Sequence, residues 1–166
     1  MVAKSYILSN LKSLDSKYRL AKSQKDNLFF SKLAILELCG WLEESIDEIV
    51  KDFAKKHIKN EFNIKLIHNK ISQTYGFEYD KHFKSLIIQL VGIVGFERIE
   101  VNIDAKKLQL FISSISSLVT RRNSEAHTHI KGATKIIDAP SLTINHFSNI
   151  YDGLIEFEKA LKSLKI

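Results

Sequence analysis

The stretch LFFSKLAILELCGWLEESIDEIVKDFAKKH, residues 28–57, decides the fold class. Its apolar residues recur at steps of three and four, in the order Ile35, Leu38, Leu42, Ile46, Ile49 and Phe53. This spacing places them on one face of a helix, so we predict a long amphipathic helix that buries that face. Acidic residues come early and lysines late on the opposite face, which matches the helix dipole. Gly40 lies inside this helix, where glycine costs about 1 kcal/mol relative to alanine. We therefore expect a neighbouring element to pack closely against it.

Most of the remaining chain shows the same helical periodicity. The predicted segments are residues 4–22, 60–74, 80–96, 105 into the 120s, and a final helix from about 140. Ile99, Val101 and Ile103 instead alternate with polar residues, which predicts an extended connector at 97–104. One proline and six glycines leave few points at which helices must break. The sequence therefore predicts one all-α domain, residues 1–166, built as a bundle of five or six helices with an up-and-down core.

Three of the helix starts can be predicted from capping chemistry. Asp26 or Asn27 is expected to cap the long helix, since both side chains accept hydrogen bonds from free backbone N–H groups. Asp104 is expected to cap the helix that follows it. Pro140 is expected at the start of the last helix, where its missing N–H has no consequence.

Composition narrows the environment and the partners. The net charge is +6 and the pI is about 9.3, which favours anionic partners such as RNA. Cys39 is the single cysteine, so no disulfide can form within the chain, and a reducing cytoplasm is expected. The longest apolar run, LIIQLVGIVGF at 86–96, is too short to cross a bilayer.

The segment LVTRRNSEAHTH, residues 118–129, places charged and imidazole groups at the end of an apolar helix. Arg122 lies seven residues after Ile115, and seven residues turn a helix by roughly 700°, so Arg122 continues the apolar stripe. We expect it to face inward or toward a partner, unless the stripe has reached the protein edge. Arg122 and His127 lie about 140° apart on an ideal helix. They can act together if the helix ends near 124–126, or if two chains meet there.

The hexapeptide RNSEAH, residues 122–127, resembles the Arg-x4-6-His signature of the HEPN superfamily, whose members are small α-helical domains. An apolar helix before the motif, a polar residue after the arginine, a loop and a final helix extend the resemblance over nearly the whole chain. The segment CGWLEESI, residues 39–46, is similar to the glutamate-bearing helix of prokaryotic MAE-like or RiboL-PSP-type members. Glu43 is the best match to that glutamate.

This resemblance implies an activity. Many HEPN proteins are metal-independent endoribonucleases that act as toxins or in anti-phage defence, and they usually dimerise with their motifs facing each other. Arg122 and His127 are then the catalytic pair, with Asn123 as a polar helper. The supporting or RNA-binding residues are Arg121, His129, Glu43 and Lys131. No metal or other cofactor is expected, and the expected partners are RNA, a second copy of the chain, and an antitoxin or defence-system protein.

The residue types suit RNA cleavage by the 2′-OH. Histidine can carry protons near neutral pH, and arginine pairs with phosphate oxygens while staying charged. His127 alone cannot serve both proton transfers, so a homodimer would supply the second histidine. His129 would lie about 10 Å beyond Arg122 along an unbroken helix. It is a candidate second proton carrier, phosphate ligand or helix cap.

Other interpretations remain open. His127 and His129 could bind zinc, although no cysteine completes a familiar ligand set. A non-catalytic HEPN module could bind RNA or a partner protein through the basic segment KDFAKKHIKNEFNIKLIHNK at 51–70. A purely structural bundle is the third alternative. The remaining histidines are expected to be surface or packing residues: His57, His68, His82 and His146.

Overall fold

The computed structural model describes residues 2–126, 129–130 and 136–164, and these form six α-helices and one π-helical turn. The helices are α1 (Ser5–Leu20), α2 (Gln24–His57), α3 (Glu61–Ser72), α4 (Ser85–Asn102), α5 (Ala105–Ala126) and α6 (Pro140–Ser163). The π-helical turn, Tyr79–Lys84, runs directly into α4. No strand occurs within these ranges, so the predicted all-α helical bundle is confirmed.

The long helix α2 forms the centre of the bundle. Helices α1 and α6 pack along it, and α5 packs on α6 while also touching α2. The apolar stripe predicted for α2 is buried along its whole length, at Ile35, Leu38, Leu42, Ile46, Ile49 and Phe53. Trp41 on α2 donates a hydrogen bond from Nε1 to the carbonyl of Ala3 at 2.8 Å. This bond fixes the segment before α1 to the centre of the bundle.

A cluster of aromatic rings joins the π-helical turn to α5 and α6. Phe83, Phe111 and Phe157 are fully buried, one from each of these elements. Their ring centroids are 4.7 Å apart for Phe83 and Phe157, and 5.4 Å apart for each of the other two pairs. Tilted and edge-to-face rings at these separations attract one another beyond simple burial. The cluster therefore holds the π-helical turn against α5, next to the residues of the predicted motif.

Two of the three predicted helix starts are confirmed. Asp104 caps α5 by accepting a hydrogen bond from the Lys107 N–H at 2.9 Å, and Pro140 is the first residue of α6. The predicted cap of α2 was wrong, because Ser23 accepts the capping hydrogen bond from the Asp26 N–H at 3.1 Å. Serine caps as well as aspartate does, and Asp26 instead stands in the first turn, where its charge suits the helix dipole.

Helix α4 extends further than the sequence predicted. The expected connector at 97–104 is helical as far as Asn102. Ile99 and Ile103, four residues apart, are buried, while Val101 between them is 84% exposed. This burial follows the period of a helix, so the alternation with polar residues does not indicate a strand. The backbone of α4 is broken at Gly92, which has φ +71° and ψ 171°. In the part of the chain described, neither α4 nor any other helix has both the length and the apolarity needed to cross a membrane.

Gly40 does not mark close packing, contrary to the expectation from the sequence. It is exposed, and an added Cβ would meet no atom within 4 Å. Among the described glycines the closest approach is at Gly153 on α6, where an added Cβ would lie 2.5 Å from the ring of Phe111. This contact joins α6 to α5 and does not involve α2.

Candidate functional site

Arg122 lies in the last two turns of α5, with its side chain 38% exposed. Its Nη2 atom is 3.7 Å from Oε1 of Glu43 on α2. At this distance the contact is an ion pair and not a hydrogen bond. The sequence placed Arg122 on the inward stripe, and the facing carboxylate offsets the cost of partly burying a guanidinium. The structure thus brings together two residues that the sequence singled out separately.

The Glu43 oxygen that faces Arg122, Oε1, is buried and accepts no hydrogen bond from the described residues. Cys39 lies one turn earlier on the same helix, and burial raises the pKa of its thiol to about 12, although Arg122 acts in the opposite direction. The thiol therefore stays protonated at neutral pH and is not a nucleophile. Arg122 and Glu43 are the charged groups that act on this thiol.

A polar cleft of about 210 Å³ opens beside Arg122. It lies between the loop that follows α3, the π-helical turn and the end of α5. Its polar side chains are those of Tyr75, Glu78, Lys81, His82, Arg122 and Asn123. Arg122 of the predicted catalytic pair and the predicted helper Asn123 therefore face one cleft, together with a lysine and a histidine that the motif does not contain. Such a set of donors suits an anionic ligand.

His82 is a cleft residue that the sequence assigned to surface or packing. The backbone N–H of Glu78 donates to its Nδ1 atom at 3.1 Å. Gly76, with φ +117°, lies against the ring, and an added Cβ there would be 3.0 Å from Cε1 of His82. Gly76 is the one feature of the sequence that hints at this position of His82, since glycine marks a turn. A turn does not reveal which helix the following histidine will meet.

Arg121 contacts residues outside the Arg122 cleft. Its Nη1 atom is 2.5 Å from Oδ2 of Asp138, and its Nε donates to Ser117 Oγ at 3.3 Å. Nε2 of His146 lies 3.4 Å from the same hydroxyl, and burial together with the Arg121 charge lowers the pKa of this histidine. Arg121 therefore ties the segment before α6 to α5, and it does not line the Arg122 cleft.

His129 is also separate from the cleft. It is exposed and lines an apolar groove of about 490 Å³ with Phe29, Leu33 and Ile130, against the first half of α2. Helix α5 is described to Ala126 and residues 129–130 are not helical, so the unbroken helix considered for His129 does not exist. The alternative in which the helix ends near 124–126 depends on residues 127–128, which lie outside the described residues. His127 and Lys131 lie outside the described residues.

Comparison with known proteins gives no match to this chain. No family model matches the chain, and neither a curated protein nor a solved structure matches it. Within the described ranges, no three His, Cys, Asp or Glu side chains are grouped so as to hold a metal ion. The zinc alternative involves His127 and so reaches outside those ranges. The HEPN resemblance rests on the motif and the helical order alone.

Proposed function

We propose that this protein is a metal-independent endoribonuclease of toxin or anti-phage defence type. Arg122 and His127 form the catalytic pair in this proposal, Asn123 assists, and the active form is a homodimer. The observation that carries it is the polar cleft, which gathers Arg122, Asn123, Lys81 and His82 around one space. The HEPN resemblance of RNSEAH supplies the reaction class.

The proposed role of Arg122 follows from its setting. Its guanidinium is partly exposed at the cleft while Glu43 holds it from α2 at 3.7 Å. A long contact of this kind orients the arginine without occupying its donors, because no hydrogen bond reaches the buried Glu43 oxygen within the described chain. The guanidinium can therefore bind two phosphate oxygens, and its positive charge stabilises the charge that develops at phosphorus.

The proposed reaction balances without a metal. A base removes the proton of the 2′-OH, and the 2′-oxygen attacks the adjacent phosphorus. The bond from phosphorus to the 5′-oxygen breaks, and an acid protonates that leaving oxygen. The products end in a 2′,3′-cyclic phosphate and a 5′-hydroxyl. His127 is assigned to proton transfer, and the second copy of the chain supplies the second histidine.

The apolar groove next to the motif supports a dimeric form. Phe29 and Leu33 on α2 are 47% and 45% exposed, and the groove that they line continues onto His129 and Ile130. Large apolar side chains gathered in an open groove favour contact with another protein surface. In this proposal a second copy of the chain occupies the groove, and the dimer places the two motifs near each other.

The test is cleavage of single-stranded RNA in the presence of EDTA, with the equivalent DNA as a parallel substrate. We expect RNA products with 2′,3′-cyclic phosphate ends and intact DNA. Arg122→Ala and His127→Ala should each lower kcat by about 100-fold or more. The matched control for Arg122→Ala is Arg98→Ala, since Arg98 is exposed on α4. Loss of wild-type cleavage in EDTA would show that the metal-free mechanism is wrong.

A second candidate is a non-catalytic module that binds RNA through α3 and the end of α2. Phe62 on α3 is 80% exposed, and the Lys65 ammonium lies 6.0 Å from its ring centroid. An exposed aromatic ring among lysines is typical of surfaces that stack single-stranded bases. Under this alternative Phe62→Ala weakens RNA binding, the wild type does not cleave, and His127→Ala leaves binding unchanged.

A further inference from the structure

The proton position on His82 can be assigned from its hydrogen bond. The Glu78 N–H donates to Nδ1 at 3.1 Å, and a backbone N–H can act only as a donor. Nδ1 must therefore offer its lone pair, and the proton of the ring is on Nε2. His82 then has a single remaining polar atom, and that atom is a hydrogen-bond donor.

Several contacts fix the ring before any ligand arrives. Gly76 packs on one side of it, and a side chain at that position would press on Cε1 at 3.0 Å. The next residue, Phe83, is fully buried in the aromatic cluster. At the start of the π-helical turn, the Tyr79 hydroxyl donates to Oε1 of Glu100 on α4 at 2.7 Å. The π-helical turn is therefore held on both sides of His82, and the Nε2–H donor of His82 is preorganised.

The charges around the cleft favour an anion. Lys81 and Arg122 contribute two cations, and Asn123 contributes an amide. Glu78 is the one acidic side chain among the described residues that line it. A fixed neutral donor beside two cations matches a phosphate group, whose several oxygens can accept from different directions.

We propose that His82 is a phosphate-binding residue, whose Nε2–H donates to a non-bridging oxygen of the phosphate that Arg122 holds. This inference rests on the proposed function in that the phosphate is that of an RNA strand. The role differs from that of a proton carrier, because the Glu78 bond occupies Nδ1. His82 binds the substrate and leaves the proton transfers to other groups.

Two substitutions separate binding from packing. In His82→Asn the amide oxygen can still accept from the Glu78 N–H, but no donor remains at the Nε2 position. In His82→Gln the amide nitrogen reaches the Nε2 position, while the acceptor for Glu78 is lost. The probe is a single-stranded RNA oligonucleotide with 2′-O-methyl riboses, which binds but cannot be cleaved. We expect its affinity to fall about tenfold or more in His82→Asn and to stay within about threefold in His82→Gln.

A purely structural role of His82 predicts the reverse order, with His82→Asn binding like the wild type and His82→Gln impaired. That order would overturn the inference. Long-range 1H–15N spectra of the wild type give an independent readout, in which we expect a protonated Nε2 whose signal shifts when inorganic phosphate is added. A proton on Nδ1, or an unchanged signal, would also overturn it.

Failure of the proposed role of His82 can be distinguished from failure of the proposed nuclease function. If the wild type cleaves RNA and His82→Asn binds the oligonucleotide normally, the nuclease stands and the phosphate role of His82 is wrong. If the wild type does not cleave but His82→Asn weakens binding tenfold, the phosphate site stands and the nuclease assignment is wrong.

Discussion

At the scale of single residues, Cys39 gives a prediction that is independent of function. Burial raises the pKa of its thiol from about 9 to about 12. The unfolded chain therefore loses this proton first as pH rises, and the free energy of unfolding falls between about pH 9 and pH 12. The stabilisation is fully present below pH 9. Denaturant unfolding measured across this range should show the decrease.

The control for this prediction is Cys39→Ala. Removing the thiol should flatten the pH dependence by up to about 1.4 kcal/mol per pH unit, although the smaller side chain lowers stability at every pH. Burial and the hydrogen bond to Glu100 also raise the pKa of Tyr79, so some alkaline destabilisation remains in both proteins. An equal slope in the variant and the wild type would contradict the assignment to Cys39.

At the scale of helices, two glycines in open surroundings have opposite expected effects. An added Cβ at Gly40 or at Gly92 would meet no atom within 4 Å. Gly40→Ala should raise the free energy of unfolding by about 0.5–1 kcal/mol, because alanine favours the helix. Gly92 has φ +71° and ψ 171°, a conformation essentially limited to glycine, so Gly92→Ala should lower stability by about 1–3 kcal/mol.

Thermal and denaturant unfolding of the two variants side by side test this pair. Neither substitution creates a clash, so the difference isolates the backbone conformation. Equal effects of the two substitutions would show that α4 has no fixed break at Gly92. A stabilised Gly92→Ala variant would mean that α4 runs as one continuous helix.

Helix periodicity predicted most of the fold, for a physical reason that α2 illustrates. A one-sided apolar stripe from Ile35 to Phe53 permits a single interpretation. Around Ile99 and Ile103 the same apolar residues fit both a period of two and a step of four, so the local pattern could not decide. Burial of that face against the bundle decided it in favour of helix.

The candidate site was predictable only in part. The seven-residue step from Ile115 placed Arg122 on the apolar stripe, and its side chain contacts Glu43 on α2 while staying 38% exposed. Glu43 was found by resemblance, and its contact with Arg122 depends on how α2 and α5 pack. His82 could not be found from local sequence, because its place in the cleft depends on the aromatic cluster that holds Phe83 against α5.

At the scale of the whole molecule, the proposed dimer can be tested by pairing a wild-type chain with a variant chain. Wild-type and His127→Ala chains with different affinity tags are co-expressed, and the heterodimer is purified through both tags. Because the proposed reaction uses His127 of both chains, the heterodimer should cleave RNA about 100-fold or more slowly than the wild-type dimer, and not at half its rate.

The control is the wild-type homodimer purified through both tags, which should retain full activity. A heterodimer with half of the wild-type activity would mean that each chain cleaves RNA with its own His127 alone. A wild-type protein that is monomeric at the concentrations at which it cleaves RNA would contradict the dimeric mechanism itself.

The contact between Trp41 and the Ala3 carbonyl has a practical consequence for measurements in solution. Trp41 is the only tryptophan in the chain, and its ring also packs edge-on against Phe147 of α6 at 5.1 Å. Tryptophan fluorescence therefore comes from a single position, where the segment before α1 meets α2 and α6. If binding of RNA or of a second chain moves the segment before α1, the emission of Trp41 should change, and no attached dye is needed to follow it.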